Sequence, residues 1–122
     1  MRVRSYRDLV VWERAVDLVA EIYRLSAGFP PEERFGLTSQ VRRASVSVSA
    51  NIAEGSGRAT SGDLLNFLSH ARGSLKEAES MVFVAQRLDF VSTADCVQAL
   101  HLADETSRML TALRTSITKR SR

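Results

Sequence analysis

Apolar side chains recur every three or four positions in four stretches of this 122-residue chain, a spacing that marks helices rather than strands. In the first stretch, about Asp8 to Leu25, one line reads Leu9, Trp12, Val16, Val19, Tyr23 and a second reads Val11, Ala15, Leu18, Ile22, Leu25. Asp8 stands where an N-cap carboxylate would accept from the free N–H groups of a first turn. A helix serving only a monomer core would carry one apolar line and a polar back. Here only the strip Glu13, Arg14, Asp17, Glu21, Arg24 stays polar. That fits either a deeply buried helix or a second face against another subunit.

Gly28-Phe29-Pro30-Pro31 ends the first helix, since glycine suits a C-terminus and proline the first turn of the next helix. The second stretch reaches about Ala53, directly or after a short first turn at Pro31–Arg34, with Leu37, Val41, Ala44, Val48 and Ile52 in line. Ser45 to Ser49 alternate with valines, but the flanking residues keep helical spacing and no partner strand is present. The small residues of this helix let axes approach closely, so it is expected to be the most enclosed. Glu54 to Gly62 reads as a loop by glycine content. Thr60 with Asp63 resembles a capping box. The third stretch runs from Asp63 to Leu88, with Leu64, Phe67, Leu68, Ala71, Leu75, Ala78, Val82, Ala85 and Leu88 inward and Met81, Phe83 and Val84 widening the arc. After a turn at Asp89–Ser92, the fourth runs from Thr93 to Thr118, with Val97, Leu100, Ala103, Ser107, Leu110, Leu113 and Ile117 inward. Four helices joined by short connections favour an all-α, antiparallel up-down-up-down four-helix bundle, a single domain over residues 1–122 with short basic termini. A chain of this size buries roughly two-thirds of its unfolded surface, enough for one core.

No apolar run approaches the ~20 residues of a transmembrane helix, and the first residues lack an apolar signal core. A lone cysteine, Cys96, suits a reducing cytosol. These features point to a cytoplasmic protein with no membrane partner. Net charge is +3, and its placement is uneven. Residues 1–7 and 114–122 hold seven of the 17 basic side chains and no acid, while the 106 residues between carry ten bases and all 14 acids. The positive surplus therefore lies at the two termini.

The residues offer little for catalysis. Di-iron bundles use Glu-x-x-His pairs, but Phe67 precedes His70 and Gln98 precedes His101 by three. Both histidines are expected as partly buried helix residues. Cys96 reads as a packing residue, although a helix N-terminus could lower its pKa. Gly55-Ser56-Gly57-Arg58 lacks the preceding strand and the Gly-Lys-Ser/Thr of a phosphate loop, so a turn is expected. No catalytic, cofactor or metal site is assigned. Asn51, Glu54, Arg72 and Glu79, with Glu77 nearby, are expected to form a buried polar network that fixes register.

Leu9-Val10-Val11-Trp12, Phe29-Pro30 with Glu33, Leu37-Thr38-Ser39-Gln40, Asn51-Ile52-Ala53-Glu54-Gly55-Ser56-Gly57-Arg58, Phe67-Leu68 and Ala71-Arg72-Gly73-Ser74-Leu75 together resemble one family. It is the four helix bundle protein family, first noticed as open reading frames in intervening sequences of bacterial large-subunit ribosomal RNA genes. The resemblance covers about residues 5–115. It implies four-helix bundles that form barrel-shaped homopentamers, with no assigned role and no catalytic residues to carry over. Accessory proteins of diversity-generating retroelements, similar in form, associate with a reverse transcriptase and nucleic acid. Ser49 stands where family members often have proline.

Two functions from different classes are open to such a chain. In an up-down-up-down bundle both termini share one end with the second connection. Arg2, Arg4, Arg7, Arg58, Arg114, Lys119, Arg120 and Arg122 would then form a basic end able to neutralise RNA or DNA phosphates without reading sequence. Fifteen of the 17 bases are arginine, which suits bidentate phosphate contacts. The opposite end would carry Glu32, Glu33, Asp89 and Asp95 against Arg34 and Arg87. The alternative is an adaptor that docks a protein partner on its outer apolar faces. Basic termini that only confer solubility are the simpler explanation to be excluded.

Overall fold

The computed structural model describes residues 5–120. A short 3-10 helix, Tyr6–Asp8, leads into α1 (Val10–Ser26); a second, Pro31–Glu33, precedes α2 (Leu37–Ser56); α3 (Ser61–Arg87) and α4 (Thr93–Arg120) complete the chain. No strand occurs among the described residues, and Ser45–Ser49 are helical. Each helix packs against its two neighbours in the cycle α1–α2–α3–α4–α1, and the backbones of the diagonal pairs stand further apart. The bundle is therefore a square with up-down topology.

Local chemistry sets the helix ends. Asp8 does not cap α1: its carboxylate accepts from Ser5 N–H at 3.2 Å, and α1 starts after Leu9 without a side-chain cap. The Glu33 carboxylate supplies an acceptor to Leu37 N–H at 3.1 Å, capping α2 from the preceding turn. A Cβ on Gly36 would lie 2.9 Å from that carboxylate. Thr60 Oγ1 accepts from Asp63 N–H at 3.2 Å, and Ser92 Oγ from Asp95 N–H at 3.1 Å. α3 ends in a Schellman arrangement: Phe90 N–H reaches Ala85 O and Asp89 N–H reaches Gln86 O, with Asp89 at φ 61° where glycine is customary.

The second apolar line of α1, from Val11 through Leu25, forms the core; Val16 and Tyr23 of the first line are exposed and Trp12 is partly buried. In α2 and α3 the expected lines are buried, from Val41 to Ile52 and from Leu68 to Ala85. Three expectations fail. Leu88 is 53% exposed because α3 has ended at Arg87. Val97 is 60% exposed, since α4 presents Cys96, Ala99, Ala103, Thr106 and Leu110 inward instead. The Thr106 hydroxyl is satisfied there by donating to Leu102 O at 2.7 Å. Finally, Glu54–Ser56 belong to α2 rather than to a loop, and Gly55 is buried against α3. Its missing Cβ would lie 2.9 Å from Phe67 Cβ and 3.1 Å from Leu64 Cδ1. This close approach belongs to the most extensive of the helix interfaces, α2 on α3. On the outer side of α2, Arg43, Val46 and Ala50 remain exposed.

Among the described residues each seam carries a polar bridge. Arg42 Nε donates to Ser26 Oγ at 2.8 Å across α1–α2, with its guanidinium 4.5 Å over the Tyr23 ring. Ser47 and Ser74 hydroxyls meet at 2.8 Å across α2–α3. Gln86 Nε2 donates to Thr93 Oγ1 at 2.8 Å across α3–α4, and Arg14 pairs with Glu105 across α1–α4. Single bridges of this kind select register more than they add stability.

Candidate nucleic-acid interface

Two contacts identify the ends of the bundle. The Phe29 and Phe90 rings pack at 5.9 Å, which brings the α1–α2 and α3–α4 connections together at one end. At the other, Leu9, Ser56, Leu64 and Arg120 line one cavity, so the start of α1, the end of α2, the start of α3 and the end of α4 converge there.

The second end receives most of the basic candidates within the described residues. Arg7 is exposed in the first 3-10 helix, and Lys119 and Arg120 are exposed in the last turn of α4. Arg114 lies about 9 Å back along the helix and is half-buried; its Nε is buried with no hydrogen-bond acceptor. Arg58, between α2 and α3, is already engaged: Nη2 donates to Glu54 Oε1 at 2.7 Å, and the guanidinium lies 4.7 Å over the Phe67 ring. Arg2, Arg4 and Arg122 lie outside the described residues.

The expected four-residue network does not form within the chain. Glu54 turns to Arg58, Arg72 is exposed, and Glu79 pairs with Lys76 at 3.5 Å. Asn51 Nδ2 instead donates to Ser47 O at 2.8 Å and to Ser47 Oγ at 3.0 Å, extending the Ser47–Ser74 bridge. The sequence signal for that bridge is a serine on each of the two facing helices, less conspicuous than the charged residues around it.

Four cations on the walls are paired, Arg14 with Asp17 and Glu105, Arg24 with Glu21, Lys76 with Glu79 and Arg108 with Asp104, whereas Arg34, Arg42, Arg43, Arg72 and Arg87 have no carboxylate partner among the described residues. Hydrogen bonding to Asp17 and Glu105 raises the Arg14 pKa further, so that charge is permanent. Lys119 and Arg120 have no such carboxylate among the described residues.

Neither histidine is buried as expected: His70 is exposed, and His101, also exposed, lies 3.6 Å from Glu105. Cys96 is buried, and burial followed by the Asp95 charge pushes its thiol above the ordinary range, opposite to activation by a helix N-terminus. Among the described residues no three His, Cys, Asp or Glu side chains are grouped to hold a metal ion. No helix there is long and apolar enough to cross a membrane.

Residues 7–112 match the family described as 23S rRNA-intervening sequence protein. The chain belongs to that family. A solved relative is a protein of unknown function from the S23 ribosomal protein family of Bacteroides thetaiotaomicron. It superposes with a TM-score of 0.80 at 20% identity, over 86% of this chain and 98% of that one. At that identity the likeness establishes the fold. No curated protein matches the chain. Neither the family nor the solved relative has an assigned enzymatic activity.

Proposed function

We propose that this 23S rRNA-intervening sequence family member is a non-enzymatic homo-oligomer, a pentamer by the family resemblance, that binds RNA or DNA through its basic end in the cytoplasm. The observation that carries the reading is the gathering of Arg7, Arg58, Lys119 and Arg120 where the start of α1, the α2–α3 connection and the end of α4 converge, with no carboxylate paired to Lys119 or Arg120 among the described residues. Arg2, Arg4, Arg7 and Arg122 adjoin that end in sequence, and Arg58 contributes less because Glu54 neutralises it. Such a site makes phosphate contacts and is indifferent to sequence.

Fluorescence anisotropy with duplex DNA and single-stranded RNA at two salt concentrations tests it. Affinity should fall steeply with salt, with a logarithmic slope of about −0.9 per duplex phosphate neutralised. Deleting residues 1–5 and 119–122 should flatten that slope while helicity and oligomeric state persist. Absence of binding to any nucleic acid at low salt refutes the reading.

One observation favours the adaptor as a second reading. Phe35 is 86% exposed beside Tyr23, Arg42 and Val46, which line a groove with it on the outer α1–α2 side. Capture of a protein partner that resists high salt would select this reading instead.

A further inference from the structure

The open groove on the outer side of α1 and α2 carries charge of one sign. Arg34, Arg42 and Arg43 line it, and no carboxylate does. None of the three has a carboxylate partner among the described residues. Two of them are braced by aromatic rings instead. The Arg42 guanidinium lies 4.5 Å over the Tyr23 ring, while its Nε donates to Ser26 Oγ at 2.8 Å and its Nη2 to Tyr23 O at 3.3 Å. Nη1 takes no part in that bracing. The Arg34 guanidinium lies 5.1 Å over the Phe35 ring. Arg43 is exposed on α2. A guanidinium held in this way has already given up side-chain freedom, so engaging a carboxylate costs it less entropy.

Between these cations the surface is apolar and shallow. Val46 and Ala50, one turn apart on α2, are exposed, and Phe35 stands exposed at the head of the groove. The small side chains Ser39, Ser47 and Ala50 let another helix axis lie close. From Ser39 to Ala50 α2 rises about 16 Å, the length of three helical turns. An apolar row flanked by cations is the complement of an amphipathic helix whose apolar row is flanked by acids. A nucleic-acid strand would use the cations but not the aliphatic row. The Tyr23 and Phe35 rings each carry a guanidinium on one face, which limits them as stacking platforms for bases.

We propose that this groove docks an acidic amphipathic helix of a protein partner, its apolar row on Phe35, Val46 and Ala50 and its carboxylates on Arg34, Arg42 and Arg43. The site rests on the adaptor reading, to which it adds the class of partner. It stands apart from the basic end, because Ala50 lies about 9 Å short of the end of α2 at Ser56.

The full-length protein is titrated with a fluorescein-labelled peptide of about 16 residues, long enough to form a helix once bound. It has leucine at every third or fourth position and glutamate at the rest; a second peptide carries lysine in place of glutamate. Saturable binding of the glutamate peptide is expected, with one site per chain, a gain of helical signal at 222 nm and shifts of the Val46 and Ala50 methyl resonances. The lysine peptide should bind at least about tenfold more weakly. Phe35→Ala should weaken the glutamate peptide about tenfold, the scale of a central interface aromatic. Arg43→Gln should weaken it about threefold, the scale of an exposed ion pair. Both are surface changes, so helicity and oligomeric state should persist. No saturable binding would overturn the proposal, as would a lysine peptide that binds as tightly or variants that bind like the parent. A change of oligomeric state in Phe35→Ala would make a second copy the occupant and overturn it. So would a single-stranded oligonucleotide that displaces the peptide and loses affinity in the same two variants. The adaptor reading falls separately: a partner captured at high salt by both variants as well as by the parent would keep that reading and overturn this site alone.

Discussion

Gly55 and Gly73 both sit inside helices, yet alanine should act on them in opposite directions. At Gly55 the new Cβ would lie 2.9 Å from Phe67 Cβ, 3.1 Å from Leu64 Cδ1 and 3.5 Å from Leu64 O. Phe67 Cβ is fixed to the α3 backbone, so the conflict is relieved only by spreading α2 from α3. Overpacking of this kind costs about 1–3 kcal/mol. Alanine regains about 1 kcal/mol through its higher helix propensity, leaving a net loss of up to about 2 kcal/mol. At Gly73 nothing lies within 4 Å of the added Cβ. There the propensity term acts alone, and Gly73→Ala should stabilise by about 0.5–1 kcal/mol. A domain of this length unfolds with an entropy of about 0.26 kcal/mol/K, so 1 kcal/mol moves Tm by about 4 °C. Gly55→Ala should therefore melt lower, by up to about 8 °C, and Gly73→Ala about 2–4 °C higher. Thermal melts monitored at 222 nm at one fixed protein concentration decide it, because association makes Tm concentration-dependent. A Gly55→Ala protein that melts at or above the parent temperature would refute the close approach of α2 and α3. A Gly73→Ala protein that melts lower would show that another surface covers this face of α3 in solution.

Two further outcomes are expected. Asp89 holds φ 61° at the end of α3, so Asp89→Gly should remove a left-handed backbone cost of about 1 kcal/mol and raise Tm by about 4 °C in the same melts. Hydrogen bonding to Arg24, opposed in part by burial, lowers the Glu21 pKa below the ordinary value of about 4.3. Its stabilising contribution is complete above that unfolded-state value and disappears as pH falls through the lower folded value. Urea melts of the parent and Glu21→Gln should therefore differ near neutral pH and converge once pH has fallen below the ordinary carboxylate range; a constant gap through that fall would refute the shift.

The fold is legible in the sequence because helical period survives loose reading. Four 3–4 patterns, Pro30-Pro31, Thr60 before Asp63 and the Asp89–Ser92 break place the helices to within a few residues. The departures share a physical cause. Large aliphatic residues carry the apolar pattern more loudly than small ones, so Val97 reads as inward while Cys96, Ala99 and Thr106, on an equally good 3–4 line, do not. Gly55 reads as a turn residue, although Val48, Ile52 and Gly55 continue the buried line of α2. A glycine on such a line can mean close packing as readily as a chain reversal, and only the neighbouring helix decides. The polar network fails for another reason. Helix faces can be counted from sequence, but whether Glu54 reaches across to α3 or turns to Arg58 depends on the path of the connection. The basic end is legible from topology alone, because an even number of antiparallel helices returns the chain to where it started. The half-open apolar hollow at that end is not, since its lining comes from all four helices.

The outer apolar residues bear on how copies could associate. Val16, Tyr23 and Val46 lie exposed on α1 and α2, with Phe35 in the connection between them. Phe83, Leu88 and Val97 lie exposed on α3, its C-cap and α4. Because the helices succeed one another around a square, the α1–α2 and α3–α4 walls face opposite ways. Association through one patch alone would pair each copy with itself around a two-fold axis. Two unlike patches on opposite walls favour head-to-tail contact, which either closes into a ring or continues as a filament. Rotation about an axis along the bundles would keep every basic end on the same rim, whereas a two-fold axis across them would set basic ends against acidic connections. The apolar walls would allow the ring on which the proposed nucleic-acid reading draws, whereas the like charge that such a ring gathers on one rim opposes its assembly unless bound phosphates neutralise it.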